Sequence, residues 1–467
     1  MKKKEIVIVG AGLGGCVLAH SLADKWNITI IEQGGSLPLL QNRVKDIDAP
    51  ALTDPHICSG LGGTTILWHN GLIEIEESIF NNRWPFSKLS IEKYYEQAIF
   101  LLSGKDRNLI KEKSKLLLKK YISAGFNENC FEEWLFYPKT RINPWEKFKL
   151  KDRVNLIEGE VIDAKLGLDN NIKNLKVNRN GIIEEIEGDI FVFATGGLST
   201  PILLDKICKT NTKLKISNIG YNYEDHPTVL VGDLKLSKPL FKLWNFPCAN
   251  GNLRLPLMVT VDGLRISFQL RPSANSKVIT RKKRVKSVIN ELRNNWFNPR
   301  LYFRLLTHMD DLMEILSFKF NINFPTSSYS LLMVAEQPPS KFRAIWEGDN
   351  SSINRKWILD DDLIDIYNQG IKKILHLLEG NIISANIYKN WKSGIFSSSH
   401  HSGTARMAST ASEGVCDSNI KVFGTENLYI CDGSVIPGTG MANTGLTIAA
   451  LGLKLADHLN KWKSVKE

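Results

Sequence analysis

A short apolar strand that runs straight into glycines at 10, 12 and 15 leaves a chain few folds to adopt. Glu5-Ile6-Val7-Ile8-Val9 is β-branched and apolar, which predicts a buried parallel strand. Gly10-Ala11-Gly12-Leu13-Gly14-Gly15 follows at once. Cys16 to Lys25 is helix-compatible, with Val17, Leu18, Leu22 and Ala23 apolar. Ile28-Thr29-Ile30-Ile31 predicts a second strand, and it ends in Glu32. Gly10 permits a tight turn, Gly12 lets the backbone approach a pyrophosphate, and Gly15 lets the helix pack close on the strand. The start of the helix offers free N–H groups to phosphates. The carboxylate of Glu32 can accept both ribose hydroxyls, which disfavours a 2′-phosphate. Strand, glycines, helix, strand and acid in register predict a dinucleotide site and leave NAD and FAD both open.

The remaining composition excludes several classes. Over 467 residues, 43% are hydrophobic and 23% charged, the balance of a globular chain rather than a disordered or fibrous one. No run of eighteen apolar residues occurs, so no membrane-spanning helix is expected. Cysteines stand at 16, 58, 130, 208, 248, 416 and 431. They show no metal-ligand spacing and no C-x-x-C pair, so no metal is expected and a reduced, cytoplasmic location is. Met1-Lys2-Lys3-Lys4 with Cys16 downstream faintly mimics a lipoprotein signal, but Glu5 interrupts it and cleavage would destroy the glycine turn.

The formal net charge is +11, and much of it is concentrated. Lys277, Arg281, Lys282, Lys283, Arg284, Lys286, Arg293, Arg300 and Arg304 face Glu291 alone between 277 and 304. Residues 281–320 interleave these cations with Trp296, Phe297, Tyr302, Phe303, Leu305, Leu306, Leu312, Leu316 and Phe318. That pattern reads as an amphipathic helix pair docking on anionic membrane, making the protein membrane-peripheral, or as a grip for a phosphorylated or lipid-linked substrate. It also reads as a helical hairpin with a solvated basic face. No nucleic-acid module accompanies the charge.

Four further segments bear on the cofactor. They are Gly60-Leu61-Gly62-Gly63-Thr64-Thr65-Ile66-Leu67-Trp68; Asp189 to Pro201, with Ala194-Thr195-Gly196-Gly197 closing an apolar strand; Ile219 to Pro227, ending Glu224-Asp225-His226-Pro227; and His400-His401-Ser402-Gly403-Thr404 through Asp432-Gly433 to Asn443. A glycine turn at the C-terminal edge of a strand is where an α/β sheet takes its ligand.

Together with Glu32-Gln33-Gly34-Gly35, these blocks resemble the glucose–methanol–choline (GMC) family of FAD-dependent oxidoreductases, in its bacterial, pyranose-oxidase-like branch. The resemblance covers 1–75, 150–230 and 395–460 and is thin between 236 and 394. It implies an α/β fold: a discontinuous Rossmann-type FAD-binding domain (1–84, 150–227 and 395–467) and an α+β substrate domain with an antiparallel sheet (85–149 and 228–394). Strands are expected at Thr228–Leu236, Leu264–Leu270 and Ser328–Glu336, and helices around Ile91–Leu102 and Leu109–Ala124.

The resemblance also implies roles. FAD would contact Gly10, Gly12, Leu13, Gly14, Gly15, Glu32, Gln33, Gly62, Gly63, Thr64, Val161, Ala194, Gly196, Asp432, Gly433 and Thr444. His400, the first residue of H-x-x-G-T, would be the base, with His401 the competing candidate beside it. His400 takes the hydroxyl proton while hydride leaves the carbinol carbon for flavin N5, and Asn443 bonds the developing alkoxide. Thr444 stands where the family has proline. His226 is read as a structural hydrogen-bonding residue, and His69 as either facing the flavin or partly buried. Some relatives link FAD covalently through a histidine just before the tryptophan of this block; here that residue is Leu67, so non-covalent FAD is expected. The function implied is oxidation of a CH–OH group of a sugar, polyol or other small alcohol. The alternatives are an NAD-linked dehydrogenase and a non-catalytic flavin-bound or lipid-docking scaffold.

Overall fold

A computed structural model describes residues 3–462 apart from 37–38, 42, 48–56, 69–70, 132–133, 139–141, 169, 212, 239, 241–245, 249–250, 273–284, 286, 294, 308 and 310–327. Its architecture is mixed α/β. Five parallel strands form one sheet in the order Leu428–Ile430, Ile190–Phe193, Lys4–Val9, Trp26–Glu32, Asn155–Glu158. The central strand is buried at Ile6, Val7, Ile8 and Val9, as a continuous apolar run requires when both faces of a sheet are covered. Helix Leu13–Leu22 follows the glycine turn, and helices Thr444–Leu459 and Leu89–Ser103 stack outward from it in succession.

The sheet is assembled from segments far apart in sequence because Gly14 lets them meet. A Cβ there would lie 1.8 Å from the carbonyl oxygen of Cys431, so the helix start and the C-terminal strand touch backbone to backbone. Gly10 adopts φ +103 and would meet the Ala194 carbonyl oxygen at 2.4 Å with any side chain; only glycine combines that dihedral with that approach.

A second, antiparallel sheet runs Leu257–Val261, Leu264–Pro272, Ser328–Ala335, Pro227–Leu236, Ile382–Ile387, with Phe396–Ser397 also pairing on Pro227–Leu236. Three of these are the expected strands: two are extended by a residue or two, and the third ends at Ala335, one residue early. The helices expected in 85–149 are Leu89–Ser103 and Arg107–Ser123. Asp106 starts the latter by accepting a hydrogen bond from Asn108 N, as an N-cap aspartate does.

Of the basic stretch, Lys277, Arg281–Arg284 and Lys286 lie outside the described residues. The helix Pro299–Leu306 is present, with Leu301 buried and Trp296, Phe297, Phe303 and Leu306 exposed. His69 also lies outside the described residues. No helix among the described residues is long and apolar enough to cross a membrane.

Candidate active site

A cavity of about 980 Å³ lies between the C-terminal edge of the parallel sheet and one face of the antiparallel sheet, at the upper end of the ~300–1,000 Å³ usual for small-molecule sites. The parallel sheet and the turns at its edge contribute Gly10, Gly12, Leu13, Gly14, Glu32, Gln33, Ala194, Gly196, Asp432 and Gly433 to its lining, and Val161 comes from strand Glu160–Leu166 of a three-stranded antiparallel sheet. Gly63, Thr64, Leu67 and Trp68 come from the second glycine loop, and His400, His401, Asn443 and Thr444 from the C-terminal segment. Gly15 and Gly62 stand just behind the wall. A Cβ at Gly15 would meet the Gly10 carbonyl oxygen at 2.2 Å, and Gly62 N donates to Ala11 O at 2.9 Å.

The wall nearest the glycine turn suits a dinucleotide. Gly12 caps helix Leu13–Leu22 without a side-chain acceptor, so the first N–H groups of the helix are left for an anion. A Cβ at Gly196 (φ +94) would meet no protein atom within 4 Å, so the glycine there enlarges the cavity. These features fit the pyrophosphate of FAD. Two acids of this wall are already engaged with the protein. Glu32 accepts from the backbone N–H groups of Ala11 (2.8 Å), Gly34 (2.9 Å) and Gly60 (3.0 Å). Burial raises the pKa of its carboxyl, and these N–H bonds oppose the rise. A carboxylate has about four acceptor positions, so Glu32 keeps room for one ribose hydroxyl more readily than for two. Asp432 accepts from Gly196 N, Thr200 Oγ1 and both Ser434 N and Oγ. It ties the two glycine-bearing strand ends together.

The histidine pair is set by Asp225, a residue that had no role in the sequence reading. Asp225 is buried, and its Oδ1 accepts from His226 N (2.7 Å) and His400 N (3.0 Å). Its Oδ2 accepts from Tyr223 OH at 3.3 Å and from Ser397 Oγ, and lies 3.6 Å from His401 Nδ1. Burial pushes the pKa of this carboxyl up, but His401, Ser397, His400 and Arg355 outweigh it and hold it below the usual value. The Asp-His pair just before a predicted strand was the only signal in the sequence.

His226 faces His400, with the two Nδ1 atoms 2.9 Å apart. The other nitrogen of His226, Nε2, is 2.7 Å from the carbonyl oxygen of Gly440. A carbonyl only accepts, so Nε2 carries the hydrogen. Burial lowers the pKa of His226, and in the neutral ring Nδ1 is then a bare acceptor. His400 must donate to it from Nδ1, which leaves His400 Nε2 as the basic nitrogen on the cavity side. Burial, together with His226 and His401, lowers the pKa of His400 to about 3 against the partial support of Asp225. His401 points its Nδ1 at Tyr223 OH, 2.9 Å away, and its ring stacks on that tyrosine. Both histidines line the cavity. The side chain of Asn443, at the start of helix Thr444–Leu459, donates to Gly71 O at 3.4 Å; the helix begins there without the proline.

A pH dependence follows. An exposed imidazole would lose its lone pair below about pH 6.5. With His400 held to about 3, the rate of flavin reduction should stay level between about pH 5 and 7, as read by anaerobic stopped flow. The linkage has the opposite consequence for stability. His400 and His226 bind protons less readily folded than unfolded, so their contribution is intact above about 6.5 and is lost as pH falls toward 3. The melting temperature should drop through that window.

Comparison with known proteins bears on the same segment. Residues 361–452 match the family model described as GMC oxidoreductase. The chain carries the C-terminal domain of the GMC oxidoreductases. That domain contributes His400, His401, Asp432, Gly433, Asn443 and Thr444 to the cavity. A curated relative, the long-chain-alcohol oxidase FAO4B of Arabidopsis thaliana, is 38% identical over 71 residues, 14% of this chain and 10% of that protein. The match thus spans about a tenth of that relative's length. Among solved structures, pyridoxine 4-oxidase from Mesorbium loti superposes with a TM-score of 0.64 at 13% identity, covering 99% of this chain and 100% of that one. An FAD-dependent oxidoreductase from Chaetomium thermophilum gives 0.64 at 12%, covering 98% and 99%. A variant of Aspergillus oryzae RIB40 formate oxidase gives 0.61 at 15%, covering 98% of each. At such identities the likeness is one of fold, and it extends over nearly the whole of this chain as well as its GMC domain.

Proposed function

We propose that this chain is an FAD-dependent oxidoreductase that oxidises the CH–OH group of a small alcohol to a carbonyl. The observation that carries the reading is His400. Its place in the cavity, its neighbours Asp225 and His226, and its bare Nε2 make a general base in the same cavity as a dinucleotide-binding glycine turn. Bound there, FAD supplies the acceptor for the hydride that leaves the carbinol carbon. His400 Nε2 takes the hydroxyl proton, and Asn443 reaches the same oxygen as charge develops on it. Gly10 through Gly14 and the helix start hold the pyrophosphate; Asp432, through Gly196, keeps the second strand end in place. The FAD-binding regions are 1–84, 150–227 and 395–467, and the substrate regions are 85–149 and 228–394. The match to the GMC model and the alcohol oxidase relative support a CH–OH donor.

The purified protein should be yellow, and an alcohol substrate should bleach it when oxygen is excluded. A folded, colourless protein that takes up no added FAD would end the reading. The flavin is held without a covalent link, because Leu67 offers the ring only an aliphatic side chain. Acid precipitation should release the yellow colour to the supernatant; a yellow pellet would show a bond from another residue.

A further inference from the structure

We infer that the substrate is an alcohol that carries an anionic group, a carboxylate or a phosphate, and that Arg271 and Gln269 bind that end. The inference rests on the proposed oxidation at His400 and names the class of molecule that the same cavity takes.

The wall opposite the glycine turn is one face of the antiparallel sheet. On the strand Leu264–Pro272, Ser267, Gln269 and Arg271 all line the cavity, as alternate residues of a strand share a face. Ser267 is paired with Val334, and Val334 with Thr228. Thr228 Oγ1 lies 2.5 Å from Ser398 Oγ, two residues before His400. The Ser267 row therefore stands beside the histidine loop. Gln269, paired with Leu332, is one step further away, and Arg271 one step further again. At about 3.4 Å per residue, Arg271 is rooted roughly 14 Å along the strand from Ser267.

Two polar atoms on this face find no partner among the described residues. Arg271 Nε and Gln269 Oε1 are buried and without a hydrogen-bond partner. No carboxylate among the described residues pairs with Arg271. The acids that line the cavity are Glu32, Glu160 and Asp432, all on the parallel-sheet side, and Glu32 and Asp432 are engaged as described. The other cations of the lining are accounted for differently. Arg43 donates to Ser351 O, and Lys206 pairs with Glu347 at 2.9 Å. Arg254 lies over the Tyr137 ring, 4.6 Å from its centroid, and shares a small adjoining pocket with Gln269. A buried guanidinium Nε–H with no acceptor and a buried amide oxygen with no donor are costly unless a ligand completes them. The ligand that does so brings an anion for the Arg271 fork and a hydroxyl for the Gln269 oxygen. Its reacting CH–OH sits at the other end, by His400.

The test uses the FAD-loaded enzyme and matched sets of probes: glycerol, glycerate and glycerol 3-phosphate; glucose, gluconate and glucose 6-phosphate; hexanol and 6-hydroxyhexanoate. Binding is read by calorimetry and flavin reduction by anaerobic bleaching. The anionic member of at least one set should bind about 10–100-fold tighter than its neutral partner. The carboxylate and phosphate arms separate the two sources of charge. Arg271→Met should abolish that preference while flavin content holds, and Arg271→Lys should restore part of it. The inference is overturned if no anionic member binds tighter than its neutral partner, or if Arg271→Met keeps the preference. Absorbance of the flavin is read on the same samples. A yellow enzyme without charge preference sinks this inference alone, and a colourless one sinks the flavin reading and this inference with it.

Discussion

His400→Ala lowers the rate of flavin reduction by about 10²–10⁴, the usual loss when a general base is removed, and leaves the flavin bound. His401→Ala costs much less. The reason is the chain of bonds from Gly440 O through His226 to His400. It makes His400 Nδ1 a donor and Nε2 the bare nitrogen on the cavity side. The same chain predicts a graded pair of variants at His226. His226→Phe removes the acceptor of the His400 Nδ1 hydrogen, lets the ring adopt the wrong tautomer, and lowers the rate by about tenfold or more. His226→Gln keeps an amide N–H for Gly440 O and an amide oxygen for His400 Nδ1, so most of the rate returns. Stopped-flow reduction of the four variants checks this. A large loss in His401→Ala with His400→Ala unaffected would move the base to the neighbouring ring. Equal losses in His226→Phe and His226→Gln would reduce His226 to a packing role.

Asp225→Ala lowers the stability of the fold by about 3–5 kcal/mol, the cost of breaking a buried charged network. The carboxylate is the common acceptor for two backbone N–H groups and the hydroxyls of Tyr223 and Ser397, and it lies beside His401. Without it, these donors remain buried and unmet, and the 397–401 loop loses its tie to the strand Pro227–Leu236. Asp225→Asn keeps the shape and one oxygen. It should lose less stability, but its amide hydrogens face the hydroxyl donors, so the histidine loop shifts and flavin reduction slows. Urea denaturation followed by tryptophan fluorescence reads the first effect. An unchanged midpoint in Asp225→Ala would show that the loop is held by its backbone pairing alone.

Much of the fold was legible because local periodicity and glycine chemistry report on short distances. The run Ile6 to Val9, the turn at Gly10 and Gly12, and the strand ending in Glu32 could be read in order, since each constrains only its neighbours. Strands at 228–236, 264–270 and 328–336 could be expected from their composition; the structure lengthens the first two by a residue or two and ends the third at Ala335. The roles of Glu32 and Gly14 were less visible. Glu32 is drawn to Gly34 and Gly60, and Gly14 is required by the carbonyl of Cys431, 417 residues later. No local pattern announces such an approach.

From the order of residues alone came a glycine turn on a buried strand and the expectation of a dinucleotide; the H-x-x-G-T segment near the C-terminus implied a histidine base through the family that it resembles. The tertiary structure alone decided which nitrogen of His400 carries the hydrogen, because a tautomer depends on what lies against each nitrogen. It also left Gln269 Oε1 and Arg271 Nε without a hydrogen-bond partner among the described residues on the far wall. A hydrogen bond acts over about 3 Å, and residues 174 positions apart reach that distance only once the chain has folded.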